Sequence, residues 1–100
     1  MAKTSVLAKL TTKDGKGDEL VAAFDGLFKQ VDTETGTLLY ILNQANDDPN
    51  VYWFYELYTD DAALGAHSGS DAMKQLMGGL GDIIAGAEMI VGKTVAGKGL

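Results

Sequence analysis

The chain of 100 residues contains no cysteine, no arginine, one histidine, one proline and one tryptophan. Without cysteine there are no disulfides, thiolate zinc sites, iron–sulfur clusters or cysteine nucleophiles. A single histidine, His67, excludes a multi-histidine metal site, leaving only an oxygen-ligand site to consider. All eight basic residues are lysines against 14 acidic ones, a net charge of −6 with pI near 4.4. That balance makes a phosphate backbone a poor partner, so no nucleic acid is expected. Nowhere do about 18 uncharged apolar residues run together, and Lys9 interrupts the short apolar start. The expectation is a cytoplasmic, soluble protein without a membrane partner.

What is present is an ordinary globular composition, 46% apolar and 22% charged. A chain of this size buries roughly two-thirds of its unfolded surface, enough for one core. A single domain over 1–100 is expected, with 96–100 a loose tail.

Turn clusters at Lys13–Gly17, Thr33–Gly36 and Asn46–Asn50 divide the chain into periodic segments. Ser5–Thr12 alternates as a strand. Asp18 can cap a helix carrying Leu20, Phe24, Leu27, Phe28 and Val31 on one stripe. Thr37–Ala45 and Val51–Thr59 form a hairpin across the only proline. If Ala45 closes it against Val51, Tyr40 lies opposite Glu56 and Leu38 opposite Tyr58. Thr59 or Asp60 caps a short helical turn through Leu64, which Gly65 weakens. Ser70 then caps a longer helix with Met73, Leu76, Met77, Leu80, Ile83 and Ile84 on one face, closed by Gly86. Ala87–Val95 is a last strand. The order is β, α, β, β, short α, α, β, an α+β, ferredoxin-like split βαβ arrangement with an antiparallel sheet.

The hairpin is apolar on both parities: Leu39, Ile41, Val51, Trp53, Tyr55 and Leu57 on one, Leu38, Tyr40, Leu42, Tyr52, Phe54 and Tyr58 on the other. Helices can cover one face only. A bare second face would be a large exposed patch, so a homodimer packed through its sheet faces is expected.

Few polar residues lie among apolar ones. Glu56, ringed by tyrosines, could exchange protons with a phenol, or simply pair with Lys9 across the sheet. His67 falls between two helical segments near the start of the second. An imidazole with its ordinary pKa near 6.5 suits a general base, and the plainer alternative is a helix-end histidine bonded to backbone. Gly78, Gly79 and Gly81 interrupt the long helix, which is either pressed against a neighbour or loose enough to admit a ligand. Gly15-Lys16-Gly17 lacks phosphate-loop spacing, and Asp47, Asp48 and Asn50 fit a turn better than a cation site.

Glu34-Thr35-Gly36, Tyr40, Asn46–Asn50, Tyr55-Glu56-Leu57-Tyr58, Ala62 and His67 together resemble the antibiotic biosynthesis monooxygenase family. Its pattern is a Glu-x-Gly turn, an aromatic strand with Glu-x-aromatic, and a histidine nine residues on. The resemblance implies a dimeric α+β barrel that oxidises a hydroquinone, quinol or polyphenol with O2, using no metal, flavin or haem cofactor. Its haem-degrading members use an asparagine on the first strand, which this chain lacks. Carried over, His67 is base or oxyanion partner, Tyr58 a hydrogen-bond donor and Glu56 the group orienting one of them. Phe24, Tyr40, Phe54, Met73, Met77 and Leu80 would wall the substrate, with Trp53 and Tyr55 replacing Phe54 and Tyr40 if the strand parity shifts. A cofactorless isomerase and a non-catalytic small-molecule-binding dimer remain as alternatives.

Overall fold

The computed structural model describes residues 2–99. Its elements run β1 (Thr4–Thr12), α1 (Gly17–Ala23), α2 (Asp25–Val31), β2 (Thr37–Gln44), β3 (Val51–Tyr58), α3 (Asp61–Ser68), α4 (Asp71–Gly79) and β4 (Ile84–Lys93). The four strands form one antiparallel sheet in the order β2-β3-β1-β4, the ferredoxin-like topology. Val6 and Ala8 of β1 and Tyr52, Phe54 and Tyr58 of β3 are buried in one core with Leu20, Phe24, Leu27, Leu76 and Leu80. Residues 94–99 carry no strand or helix, and Leu100 of the expected tail lies outside the described residues.

The last strand runs Ile84–Lys93 rather than Ala87–Val95, the short helix continues past Leu64 to Ser68, and three further features differ from the sequence reading. The first helix breaks at Phe24, where the Phe24 N–H bonds Val21 O and the Asp25-Gly26 pair follows. Leu20, Phe24 and Leu27 nevertheless stay buried as one stripe. Its N-cap position is Lys16 without a side-chain cap, so Asp18 sits in the first turn, where its charge favours the helix dipole. Gly17 is needed here, because a Cβ would run into the Tyr52 hydroxyl.

The second difference is the end of α4. Ser70 caps it by accepting from the Met73 N–H, but the helix stops at Gly79, and Ile84 already belongs to β4. The Ile83 and Ile84 amides both bond Leu80 O, while Ile83 O accepts from the Lys13 N–H and ties this turn to the end of β1. Glycines cost a helix roughly 1 kcal/mol each relative to alanine. Added Cβ atoms at Gly78, Gly79 and Gly81 would meet nothing within 4 Å, so close packing does not require them.

Third, the hairpin closes as expected, with the Ala45 N–H on Val51 O and Tyr40 opposite Glu56. The register then shifts between Thr37 and Leu39, so Thr37, not Leu38, faces Tyr58, and Leu38 is the extra residue of a bulge. In the connecting loop, the Asp48 carboxylate accepts from the Asn50 N–H, and Asn50 bonds Asp14 and the Gly15 N–H. Those side chains build a turn.

The helices cover one face of the sheet. On the other face Leu7, Leu39, Ile41, Trp53, Tyr55 and Ile90 are between 36% and 67% exposed. Among the described residues no helix is long and apolar enough to cross a membrane.

Candidate active site

Asp60 opens α3 by accepting from the Ala63 N–H, and the helix runs through Gly65 to Ser68. His67 therefore lies in the last turn of α3 rather than in a break, and is only 3% exposed. Its partner is a side chain, not backbone: Nδ1 is 2.9 Å from Glu34 Oε1.

Glu34 precedes the β2 bulge. Its Oε1 also accepts from Thr37 Oγ1 at 2.7 Å, and Oε2 from Gln30 Nε2 at 3.3 Å. Gly36, two residues on, lies so close to α3 that a Cβ there would come 2.5 Å from Ala63 Cβ. This contact brings the Glu34 turn against α3. Burial works to raise the Glu34 carboxyl, but hydrogen bonds from Thr37, His67 and Gln30 outweigh it and hold the group below its ordinary 4.5. An ionised Glu34 can only accept, so the shared hydrogen sits on Nδ1; in the neutral imidazole Nε2 is then the accepting nitrogen.

Tyr40 stacks on Phe54, with ring centroids 4.6 Å apart, and stands 4.9 Å from the His67 ring. Glu56 is 4% exposed and accepts from the Tyr58 hydroxyl at 2.5 Å. The expected pairing with Lys9 is not formed. Lys9 faces Trp53 on the opposite side of the sheet, whereas Glu56 faces Val6 and Tyr40. Burial pushes the Glu56 carboxyl up, only partly offset by the Tyr58 hydrogen bond and by His67. Burial, reinforced by the carboxylates of Glu56 and Glu34, raises the Tyr40 and Tyr58 phenols well above 10, so both remain proton-bearing.

His67, Glu56, Tyr40 and Phe54 gather at one end of a cavity of about 490 Å3 between sheet and helices. Of the residues singled out from sequence, His67, Glu56, Phe24, Tyr40, Phe54, Met73, Met77 and Leu80 line it. Tyr58 does not: it is fully buried behind Glu56, and its hydroxyl is committed to that carboxyl. Trp53 and Tyr55 lie on the other face. Glu34 was missed as a site residue, although its Glu-x-Gly turn was visible. It borders a second recess, of about 430 Å3, beside Asp32, Thr37 and Tyr40. Among the described residues no three His, Asp or Glu side chains group as metal ligands.

The arrangement supplies a hydrogen-bonded imidazole, a buried carboxyl pushed above its ordinary value, and an apolar wall. It can take a proton from a bound acid and return one nearby.

No curated protein matches this chain. Solved structures do. One from Caulobacter crescentus, described as a candidate antibiotic biosynthesis monooxygenase, has a TM-score of 0.88 at 29% identity, over 95% of this chain and 92% of its own. One from Pseudomonas aeruginosa gives 0.88 at 22% identity, over 96% of this chain and 97% of its own. One from Nitrosomonas europaea, also described as a candidate antibiotic biosynthesis monooxygenase, gives 0.87 at 18%, over 94% and 91%. The latter two speak for the fold alone. The model of the antibiotic biosynthesis monooxygenase family matches residues 4–78, through β1, the bulged hairpin, His67 and most of α4. The chain belongs to the antibiotic biosynthesis monooxygenase family.

Proposed function

We propose that the protein is a cofactor-independent monooxygenase that oxidises a hydroquinone or related polyphenol with O2, acting as a cytoplasmic homodimer. The observation that carries this reading is the His67–Glu34 pair, whose imidazole lines a largely apolar cavity together with Glu56. Family membership supports monooxygenase chemistry in general.

The phenolic proton passes to His67 Nε2, and the Nδ1 hydrogen bond to Glu34 stabilises the imidazolium that forms. The phenolate gives one electron to O2, and superoxide and phenoxyl radical recombine at a ring carbon bearing hydrogen. Glu56, whose carboxyl burial pushes above its ordinary value, protonates the peroxide. The C–OOH carbon then loses its hydrogen and the outer oxygen as water, leaving a carbonyl. One O2 is consumed, one oxygen atom enters the product and one leaves in water. Tyr58 acts through Glu56 as a positioning residue. Glu34, reaching the second recess, offers the proton on His67 a path to solvent.

The second copy would cover the apolar sheet face of Leu7, Leu39, Ile41, Trp53, Tyr55 and Ile90. Oxygen uptake with naphthalenediols tests the chemistry. Uptake above autoxidation that His67→Ala abolishes supports it; turnover of a ligand without oxygen uptake favours an isomerase. Binding that His67→Ala leaves unchanged, with no turnover, favours a binding protein.

A further inference from the structure

The cavity is chemically lopsided. Its polar side chains are Tyr40, Glu56, His67, Ser68 and Glu88, and two of the five are carboxylates. Glu88 pairs with Lys9 in the register of the sheet's far face, so it adds little inside. None of the chain's eight lysines lines the cavity. Tyr40, Glu56 and His67 are gathered at one end by the Tyr40–Glu56 register pair and the Tyr40–His67 ring contact. At the sheet edge the lining also takes in Ala87 and Met89 of β4, and from the helical layer Met77 of α4 and Gly81 just after it. Met77 and Met89 are 62% and 65% exposed and mark a mouth at the sheet edge. Glu56 on β3 and Met89 on β4 are separated by β1 alone, two strand spacings or about 10 Å.

We infer that the ligand is an uncharged flat aromatic with its hydroxyls at one end and an apolar substituent at the other, the substituent leaving between α4 and β4 past Met77 and Met89. Placing the hydroxyl end at His67 rests on the function proposed above; the charge and the tail rest on the cavity wall. A carboxylate, sulfonate or phosphate on the ligand would enter a cavity that no lysine lines and whose one imidazole, His67, is already paired with Glu34. Methionines are flexible and polarizable enough to close around an alkyl or prenyl chain.

The test is anaerobic titration calorimetry with three probes: 1,4-dihydroxynaphthalene, its 6-pentyl derivative, and 5,8-dihydroxynaphthalene-2-sulfonate. The pentyl group should tighten binding at least about tenfold, which about two newly buried methylenes suffice to give. The sulfonate should weaken it by at least about tenfold. Met77→Lys, at a site exposed enough to accept lysine, should bring the sulfonate to within about threefold of the parent diol and weaken the pentyl probe. Met89→Lys is the second variant for the same readout. Equal affinities for all three probes, or tightest binding of the sulfonate, would overturn the assigned ligand class even if the diol is oxidised. Failure of every probe to bind would overturn it as well. The predicted order without any oxygen uptake would leave the ligand class standing and remove the monooxygenase reading alone.

Discussion

Glu34 Oε1 lies 2.9 Å from His67 Nδ1 although 33 residues separate them, and the carboxylate fixes which imidazole nitrogen carries the hydrogen. Glu34→Gln keeps an acceptor of similar size but removes the charge that stabilises a protonated imidazole. The expected result is a drop of about 10²-fold in kcat with a nearly unchanged KM, since the lost interaction belongs to the proton-transfer step. Steady-state oxygen uptake measures both constants, and an unchanged kcat would remove Glu34 from the mechanism.

The carboxyls of Glu34 and Glu56 impose opposite pH trends on stability. Glu34 is held below its ordinary value of 4.5, so its contribution is present above that pH and is lost as pH falls through the lower folded-state value. Glu56 is raised, so the folded state binds its proton more tightly than the unfolded state. Stability from this group is full below 4.5 and declines as pH rises through the folded-state value. Urea midpoints of Glu56→Gln should therefore exceed those of the parent at pH 8 and converge with them near pH 4. Glu34→Gln should be the less stable protein at pH 8 and approach the parent as the pH is lowered below 4.5.

Gly36 and Ala63 make the contact that seats the Glu34 turn against α3. Gly36→Ala should cost about 1–3 kcal/mol by overpacking and displace His67 from Glu34. Ala63→Gly introduced on top should recover part of that loss in chemical denaturation, the glycine itself costing α3 about 1 kcal/mol. If the double variant is no more stable than Gly36→Ala, the loss does not come from this contact.

Gly78 and Gly79 are different, because a Cβ at either meets no neighbour within 4 Å and neither has a positive φ. Gly78→Ala should stabilise by about 0.5–1 kcal/mol through helix propensity and the unfolded chain's entropy. A fall in denaturation midpoint would reveal a constraint at α4 other than packing.

Much of the fold was legible from the chain. Turn clusters fall at the strand ends, and Asp60 and Ser70 cap the helices they were expected to cap. Closure of the hairpin at Ala45 and Val51 correctly set Tyr40 opposite Glu56. The apolar stripe of α4 misled because Ile83 and Ile84 continue its spacing after the glycines have ended the helix. The Leu38 bulge carries no local signal, since it comes from how Thr37 and Gly36 are tied to Glu34 and Thr59. Pairing of Glu34 with His67 was hidden for the same reason: it depends on the bulge and on the Gly36–Ala63 contact, neither of which is a periodicity. Lys9 fails to reach Glu56 because strand parity puts the two on opposite faces.

Trp53 and Ile41 sit on the uncovered sheet face at 36% and 46% exposure. In the proposed dimer both are interface residues, so Ile41→Lys should give a monomer by light scattering at micromolar concentration while the parent is a dimer. A monomeric parent would contradict the dimer.

The most direct test of the account is dioxygen uptake by chelator-treated protein supplied with 1,4-dihydroxynaphthalene, beside His67→Ala and Glu34→Gln. The expected result is uptake well above autoxidation, with one oxygen atom from 18O2 in the product, abolished in His67→Ala and strongly reduced in Glu34→Gln. Uptake at the background rate, or full uptake surviving in His67→Ala, would contradict it.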